Sequence, residues 1–342
     1  MHYKLLGQTS LKVSEVGFGG IPIMRMTTDE AVQVLQRALE RGINFFDTAN
    51  AYTDSEEKMG QALAGCRSEV VIATKTIKRD AAGAAEQIDL SLRRLRTDYI
   101  DLYQFHQVSQ ESDWQAIAGP GGAMEAVVKA KEAGKVRHIG ITAHNLAMAI
   151  KLVKTGLFAT IQFPFSFLEP AARDELFAVA TSHGLGILAM KPFGGGVIES
   201  ADLAFKFLRQ YPEVLPIPGF HSEAAVDEIV DLYAKPNTVS PEDLAVMERL
   251  QAELGKRFCR RCEYCLPCPQ GVIINAAMIY PVAAARMSPA VASRFSKLPM
   301  ESVANCIECG LCVSRCPYEL PIPDLLKEYY ALYQQHSNEA KA

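Results

Sequence analysis

Eight short, β-rich apolar runs, each followed by a stretch of helical periodicity and a turn, dominate the chain from Val16 to about Ala234. The runs are Val16–Gly19, Ile43–Asp47, Val70–Thr74, Ile100–Phe105, His138–Ile141, Thr160–Phe163, Ile187–Met190 and Val214–Pro218. Their spacing of roughly 20–40 residues is that of βα units. The intervening helices are legible too. Thr28 opens one toward Gly42 with Val32, Leu35, Ala38 and Leu39 on one face, and Ala84–Leu95 and Ala171–His183 repeat the pattern. Open doubly wound sheets usually stop near five or six strands, so eight unbroken alternations predict an α/β fold closed into a (β/α)8 TIM barrel. Ahead of the first unit, Tyr3–Gly7 and Leu11–Val13 flank a turn, which predicts an N-terminal hairpin plugging the barrel floor.

Charge narrows the partners. The 342 residues carry 35 basic and 39 acidic side chains, net −4, so neither nucleic acid nor an anionic membrane is the expected partner. No apolar run approaches the roughly 20 residues of a spanning helix. The opening MHYKLLGQTSLKVSEVGFGG is interrupted by polar residues every few positions, unlike a signal peptide, and the expected location is the cytoplasm.

The cysteines divide the chain. Cys66 stands alone and reads as an ordinary small residue, while the other eight fall between Cys259 and Cys316. Gly255 marks the border between a barrel domain, residues 1–254, and a Cys-dense domain, residues 255–342. Disulfide frameworks belong to exported domains, whereas clustered cytosolic cysteines point to metal. The run CRRCEYCLPCP (Cys259, Cys262, Cys265, Cys268) is echoed by CIECGLCVSRCP (Cys306, Cys309, Cys312, Cys316). The second copy has the C-x2-C-x2-C-x3-C-P spacing of bacterial ferredoxins, in which the fourth Cys ligates the other cluster. Two [4Fe–4S] clusters follow: Cys259, Cys262, Cys265 and Cys316 on one, and Cys306, Cys309, Cys312 and Cys268 on the other. The first copy has two residues rather than three before its last Cys, which leaves the cross-ligation of Cys268 open. A pair of four-cysteine zinc sites is the alternative, although those usually show two separated CxxC hooks. The expected domain is small, helical and ferredoxin-like, with a helical insertion between the runs and a frayed end after Gln335.

Reactive residues of such barrels sit where strands end. Asp47 closes the second run, Tyr52 follows in the next loop, Lys75 ends the third and His106 ends the fourth. Each has a plain reading alone: helix cap, lid aromatic, solvated strand end, core histidine. Together they form a carbonyl-reducing set. A phenol with a free pKa of about 10 is a poor acid at neutral pH, and a neighbouring ammonium lowers that value. The Asp anchors the Lys, and the His orients the substrate oxygen.

These segments, DTANAYTDSEEKMGQAL, IATK and DLYQFH, resemble motifs of the aldo-keto reductase superfamily. So do the opening YKLLGQTSLKVSEVGFGG, KVRHIGITAHN, the IQF strand and PIPGFHSEAAVDEI, and the likeness runs from residue 3 to about 254. With its cysteine tail the chain is similar to the ferredoxin-containing branch. The resemblance implies reduction of a small-molecule carbonyl, with Tyr52 as general acid, Lys75 as its pKa partner, Asp47 as anchor and His106 orienting the carbonyl. It also implies NADH or NADPH across the strand ends. Thr142 and Gln162 match carboxamide-holding positions; Ala143 stands where the family usually has Asn, leaving His144 and Asn145 as candidates for that contact. Met190 falls where an aromatic ring commonly stacks. Lys191, Pro192 and Gly194 belong to a turn whose bare amides can approach a pyrophosphate. Around Gly219 and Phe220, Gly219 and Ala225 replace the Lys and Arg that grip a 2′-phosphate, which favours NADH without deciding it, and Glu228 matches an acidic position near the adenine.

A nicotinamide hands over two electrons as hydride and a cluster carries one, so the two cannot trade directly without a flavin or a radical-stable intermediate. Three readings therefore stand: a carbonyl reductase whose clusters are structural or serve a redox protein partner; an enzyme passing electrons between the clusters and a flavin, quinone or ferredoxin; and a non-enzymatic iron–sulfur carrier on an inert barrel. Retention of all four polar residues speaks for the first.

Overall fold

The structure, a computed structural model, describes residues 1–255, 257–261, 265–316 and 318–339. The chain divides into two compact units, Met1–Gly194 with Ser200–Val239, and Gly195–Glu199 with Ser240–Ala342.

In the first unit, β1 (Tyr3–Leu5) and β2 (Lys12–Ser14) pair antiparallel. Eight parallel strands follow in sequence order: β3 (Phe18–Gly19), β4 (Phe45–Asp47), β5 (Val71–Thr76), β6 (Ile100–Phe105), β7 (Val136–Thr142), β8 (Thr160–Pro164), β9 (Gly186–Met190) and β10 (Val214–Pro216). The last returns to the first, with Gly17 N donating to Pro216 O at 2.9 Å and Gly19 N to Pro218 O at 2.7 Å. This closes the expected (β/α)8 barrel. Gly19 is needed at the seam, because a Cβ there would stand 2.8 Å from Ile217 O.

The crossovers carry α1 (Thr28–Glu40), α2 (Ser55–Leu63), α3 (Ala81–Arg94), α4 (Glu111–Ala118), α5 (Ala123–Glu132), α6 (Leu146–Lys154), α7 (Leu176–Ser182), α8 (Ala201–Leu208) and α9 (Glu223–Tyr233). Thr27 and Glu30 form a reciprocal capping box that starts α1. The helix expected over Ala171–His183 is interrupted: a 3-10 turn at Ala171–Arg173 precedes α7. After the buried Ala172, Arg173, Asp174 and Glu175 are all exposed and burial resumes at Leu176, so packing supports the α-helix only from there.

The hairpin lies at the N-terminal ends of the strands. Leu6, Leu11 and Val13 share one buried cluster with Phe45, Val71, Ala73, Leu102, Leu188 and Leu215. The floor is sealed by apolar contact, and the polar ends of the strands are left for chemistry.

The second unit is helical. Tyr280–Met287, Pro289–Phe295 and Ile322–Glu339 surround a core that includes Tyr280, Met300, Leu325, Leu326 and Tyr333. The expected fraying after Gln335 is not seen among the described residues, as the last helix runs to Glu339. His336 Nδ1 lies 2.9 Å from the buried Tyr280 hydroxyl, which ties the final turn to the core. The helix Pro241–Gly255 groups with this unit.

Candidate active site

Strand alternation decides which side chains enter the barrel. Phe45 and Asp47 share a face of β4, Ala73 and Lys75 of β5, and Leu102 and Gln104 of β6. In register, Asp47 stands opposite Ala73, Ala73 opposite Leu102 and Lys75 opposite Gln104. The members nearer the floor are apolar and pack on the hairpin. One layer up, Asp47, Lys75 and Gln104 form a polar tier, 3%, 1% and 0% exposed.

Charges this deep need partners. Lys75 Nζ donates to Asp47 Oδ2 at 2.6 Å and to Thr48 O at 2.7 Å, while Gln104 Nε2 donates to Asp47 Oδ1 at 3.1 Å. Burial pushes the Asp47 carboxyl above the usual carboxylate range, and the Lys75 ammonium with the Gln104 and Gln162 amides pulls the other way.

Tyr52 comes from the loop between β4 and α2. That loop is shaped by Tyr52 N donating to Ala49 O at 2.9 Å and Ser55 N to Tyr52 O at 2.8 Å. The Tyr52 ring centroid lies 5.1 Å from Lys75 Nζ. It meets the His106 ring edge-on, with centroids 5.7 Å apart and planes at 78°. His106 follows β6 directly, where Gln107 adopts φ +57°. Arg79 Nη2 clamps this turn by donating to His106 O at 2.8 Å and Gln107 O at 3.2 Å. The four residues singled out by strand-end position are thus brought to one place. They offer a phenol O–H, an ammonium beside it, a carboxylate behind the ammonium and an imidazole alongside: a proton-donating site for a substrate oxygen.

The candidate cofactor contacts are placed less uniformly. Thr142 and Gln162 are register partners. Thr142 Oγ1 accepts from Gln107 N at 2.8 Å, so this hydroxyl braces the His106 turn. Gln162 is 2% exposed, and its Oε1 has no hydrogen-bond partner among the described residues. An orphaned buried acceptor is uncommon, and it fits the N–H of a nicotinamide carboxamide. His144 is buried and its N donates to Ser109 Oγ at 3.1 Å. The Asn145 side chain caps α6 by accepting from Met148 N at 2.9 Å. Met190 is half-buried beside the floor cluster. Lys191 (φ +56°), Pro192 and Gly194 (φ +54°) make a tight turn closed by Gly194 N donating to Lys191 O at 2.8 Å. Gly219 bridges to Gly19 at the seam. Phe220 is fully buried, its ring 5.1 Å from that of Phe18, so its side chain serves the core. Glu228 is exposed on α9.

Gln104 was not among the residues singled out from the sequence, although it lies on β6 in the same DLYQFH segment, two residues before His106. Thr48, whose carbonyl receives Lys75, left no signal at all, because a backbone acceptor is independent of residue type.

In the second unit, Cys268, Cys306, Cys309 and Cys312, the set expected on one cluster, line a single cavity together with Cys265. Its wall also includes Val272, Ile274 and Leu326. Thiols along an apolar wall are the donor type an iron–sulfur cluster takes, although among the described residues no three of them are drawn together closely enough to hold a single metal ion. Of the other set, Cys259, Cys265 and Cys316 pack on the unit's core, while Cys262 lies outside the described residues. Two arginines join the runs: Arg260 lies 4.1 Å over the Tyr318 ring, and Arg315 Nη1 donates to Pro267 O at 3.2 Å.

A model of the Aldo/keto reductase family matches residues 15–246. The chain belongs to this family. A 4Fe-4S dicluster domain matches residues 258–321, so this aldo-keto reductase carries a C-terminal iron–sulfur domain. The reductase is 29% identical to the Bacillus subtilis oxidoreductase YqkF over 265 residues, 73% of this chain and 81% of that one. It is 31% identical to L-galactose dehydrogenase of Arabidopsis thaliana over 214 residues, covering 57% of this chain and 66% of the relative. Among solved structures, aldo-keto reductase AKR11C1 from Bacillus halodurans in its holo form superimposes with a TM-score of 0.62 at 25% identity, over 73% of this chain and 96% of that one. The aldo-keto reductase is accordingly an oxidoreductase, and no helix among its described residues is long and apolar enough to cross a membrane.

Proposed function

We propose that the barrel reduces a small-molecule carbonyl with NADH or NADPH, with Tyr52 as the general acid. The observation that carries this reading is the buried chain Asp47–Lys75 ending beside the Tyr52 ring, with His106 at its edge. When bound, a nicotinamide would supply the hydride. His106 orients the carbonyl oxygen, and the Tyr52 O–H gives it a proton. The Lys75 ammonium stabilises the phenolate left behind, and Asp47, held by Gln104, keeps Lys75 in place. Gln162 Oε1 would accept from the carboxamide, with Thr142, His144 and Asn145 lining the same strand ends. Met190 would face the ring, and the turn of Lys191, Pro192 and Gly194 would lie along the phosphates together with Gly219 and Phe220. Glu228 would lie toward the adenine. The lack of a cation at Gly219 and Ala225 favours NADH over NADPH. We place the enzyme in the cytoplasm, where thiols stay reduced.

The eight cysteines of the tail would hold two [4Fe–4S] clusters, which would supply single-electron transfer. Cys309 is exposed, an observation that favours a second reading, exchange of electrons with a flavin, quinone or ferredoxin partner, over clusters that only hold the fold. Anaerobically purified enzyme, offered NADH or NADPH and a panel of aldehydes and ketones, tests the first reading. Tyr52→Phe should lower kcat at least about 100-fold with nucleotide affinity kept; full activity would overturn the assignment. Bleaching of cluster absorption by NADH without any carbonyl would favour the second.

A further inference from the structure

The proposed reaction makes no use of Glu56, yet this carboxylate is 1% exposed and lies behind the site. It is the second residue of α2, four positions after Tyr52. Its two oxygens reach different parts of the barrel. Oε1 accepts from Thr74 Oγ1 at 2.7 Å, and Thr74 is the outward-facing neighbour of Lys75 on β5. Oε2 receives Asn50 Nδ2 at 3.4 Å, and Asn50 lies in the loop that delivers Tyr52. The same loop residue is tied to β5 a second time, through Asn50 N donating to Lys75 O at 3.1 Å. From the rear, Arg94 of α3 pairs with Glu56 Oε2 at 3.5 Å and donates to Asn50 O at 3.4 Å.

We infer that Glu56 is a positioning residue: it sets the separation of the Tyr52 phenol from the Lys75 ammonium by bridging the Tyr52 loop to the Lys75 strand. This inference rests on the proposed roles of Tyr52 and Lys75. Burial raises the Glu56 carboxyl above its ordinary range, opposed by Ser91, Thr74 and Arg94, as expected of an acceptor held among donors. Ala51 and Thr53 of the loop are exposed, and Asn50 Nδ2 also donates to Ser91 Oγ at 3.3 Å, so Glu56 shares the hold on Asn50 with α3 but, among the described residues, alone joins it to Thr74. Small misplacements matter for proton transfer, where reacting atoms must be held at near-attack distance.

The test exploits donor and acceptor identity. In Glu56→Gln the oxygen can still accept from Thr74, but its amide now confronts two donors, Asn50 Nδ2 and Arg94. Expected are a fall in kcat of about 10- to 100-fold for carbonyl reduction and nucleotide Kd within about threefold. The alkaline limb of the pH profile should move to higher pH, because the phenol loses part of the ammonium's influence. In E56Q/N50D the contact is rebuilt with roles exchanged, the Gln amide donating to the Asp carboxylate, and most of the lost rate should return. Glu57→Gln, which breaks the exposed 3.0 Å pair with the same Arg94, should leave kcat unchanged. Independently of turnover, amide hydrogen exchange of residues 48–55 should be faster in E56Q, with α1 unaltered, and restored in the double variant. Unchanged exchange and kcat in E56Q, in an enzyme that Tyr52→Phe inactivates, would overturn the inference while leaving the reductase reading intact. An active Y52F would instead remove that reading, and the exchange data would then decide the bridge alone.

Discussion

Lys75→Met removes the ammonium 2.6 Å from Asp47 Oδ2 and leaves a carboxylate that is 3% exposed. Gln104 and Gln162 remain as donors, but neither carries charge. Breaking one side of a buried ion pair destabilises by about 3–5 kcal/mol, and K75M should lose that much at pH 7. Protonation offers Asp47 an escape. A carboxyl whose folded pKa lies above its unfolded value keeps its proton over a window in which the unfolded chain has lost it, so stability falls as pH rises through that window. Without Lys75 the upward push of burial on Asp47 is opposed less, and the window widens. The deficit should therefore shrink on going from pH 7 to pH 5, by at most about 2.7 kcal/mol, the worth of two units of pH. In D47N/K75M no charge is buried, and stability should return to within about 2 kcal/mol of the parent. Urea unfolding followed by Trp114 fluorescence reports on this, since Trp114 is the chain's single tryptophan and packs on Phe158 with ring centroids 5.8 Å apart. A K75M deficit below 1 kcal/mol at pH 7, or a double variant as unstable as the single one, would refute the account of a charge stranded in the polar tier.

Gly60 of α2 lies against the end of α3, and a Cβ there would stand 2.2 Å from Arg94 O. Gly60→Ala should thus destabilise by about 1–3 kcal/mol, although the same change in an exposed helix stabilises; a raised thermal midpoint would contradict this. Burial brings the Lys4 ammonium, which donates to Val214 O at 2.7 Å, down to a pKa of about 8. The folded state then sheds this proton before the unfolded chain does. Between pH 7 and 9.5 the parent should gain about 2 kcal/mol relative to Lys4→Met in paired urea titrations, and parallel pH profiles would rule the shift out. Cys268→Ser should reduce bound iron and sulfide to about half on anaerobic reconstitution if Cys268 ligates the cluster with Cys306, Cys309 and Cys312. Iron content equal to the parent's would remove it from the ligand set.

Much of this protein was legible before any coordinates. Buried parallel strands read as continuous apolar runs, so all eight were found by composition, with only their ends displaced: β3 is shorter than Val16–Gly19 and β7 longer than His138–Ile141. Asp47, Tyr52, Lys75 and His106 were found because strand ends are where such barrels keep polar side chains, and the cysteine runs because ligand spacing is local in sequence. The tertiary structure alone decided what depends on distant residues meeting. It set Gln104 on Asp47, turned the Thr142 hydroxyl to the Gln107 amide, and used Phe220 as core. It also gathered Cys268 from the first run with three cysteines of the second, kept the last helix intact by joining His336 to Tyr280, and put Glu56 between the Tyr52 loop and the Lys75 strand. Periodicity and spacing report the forces acting along the chain, whereas each of these arises from the closure of the barrel or the packing of helices, which bring together groups tens of residues apart.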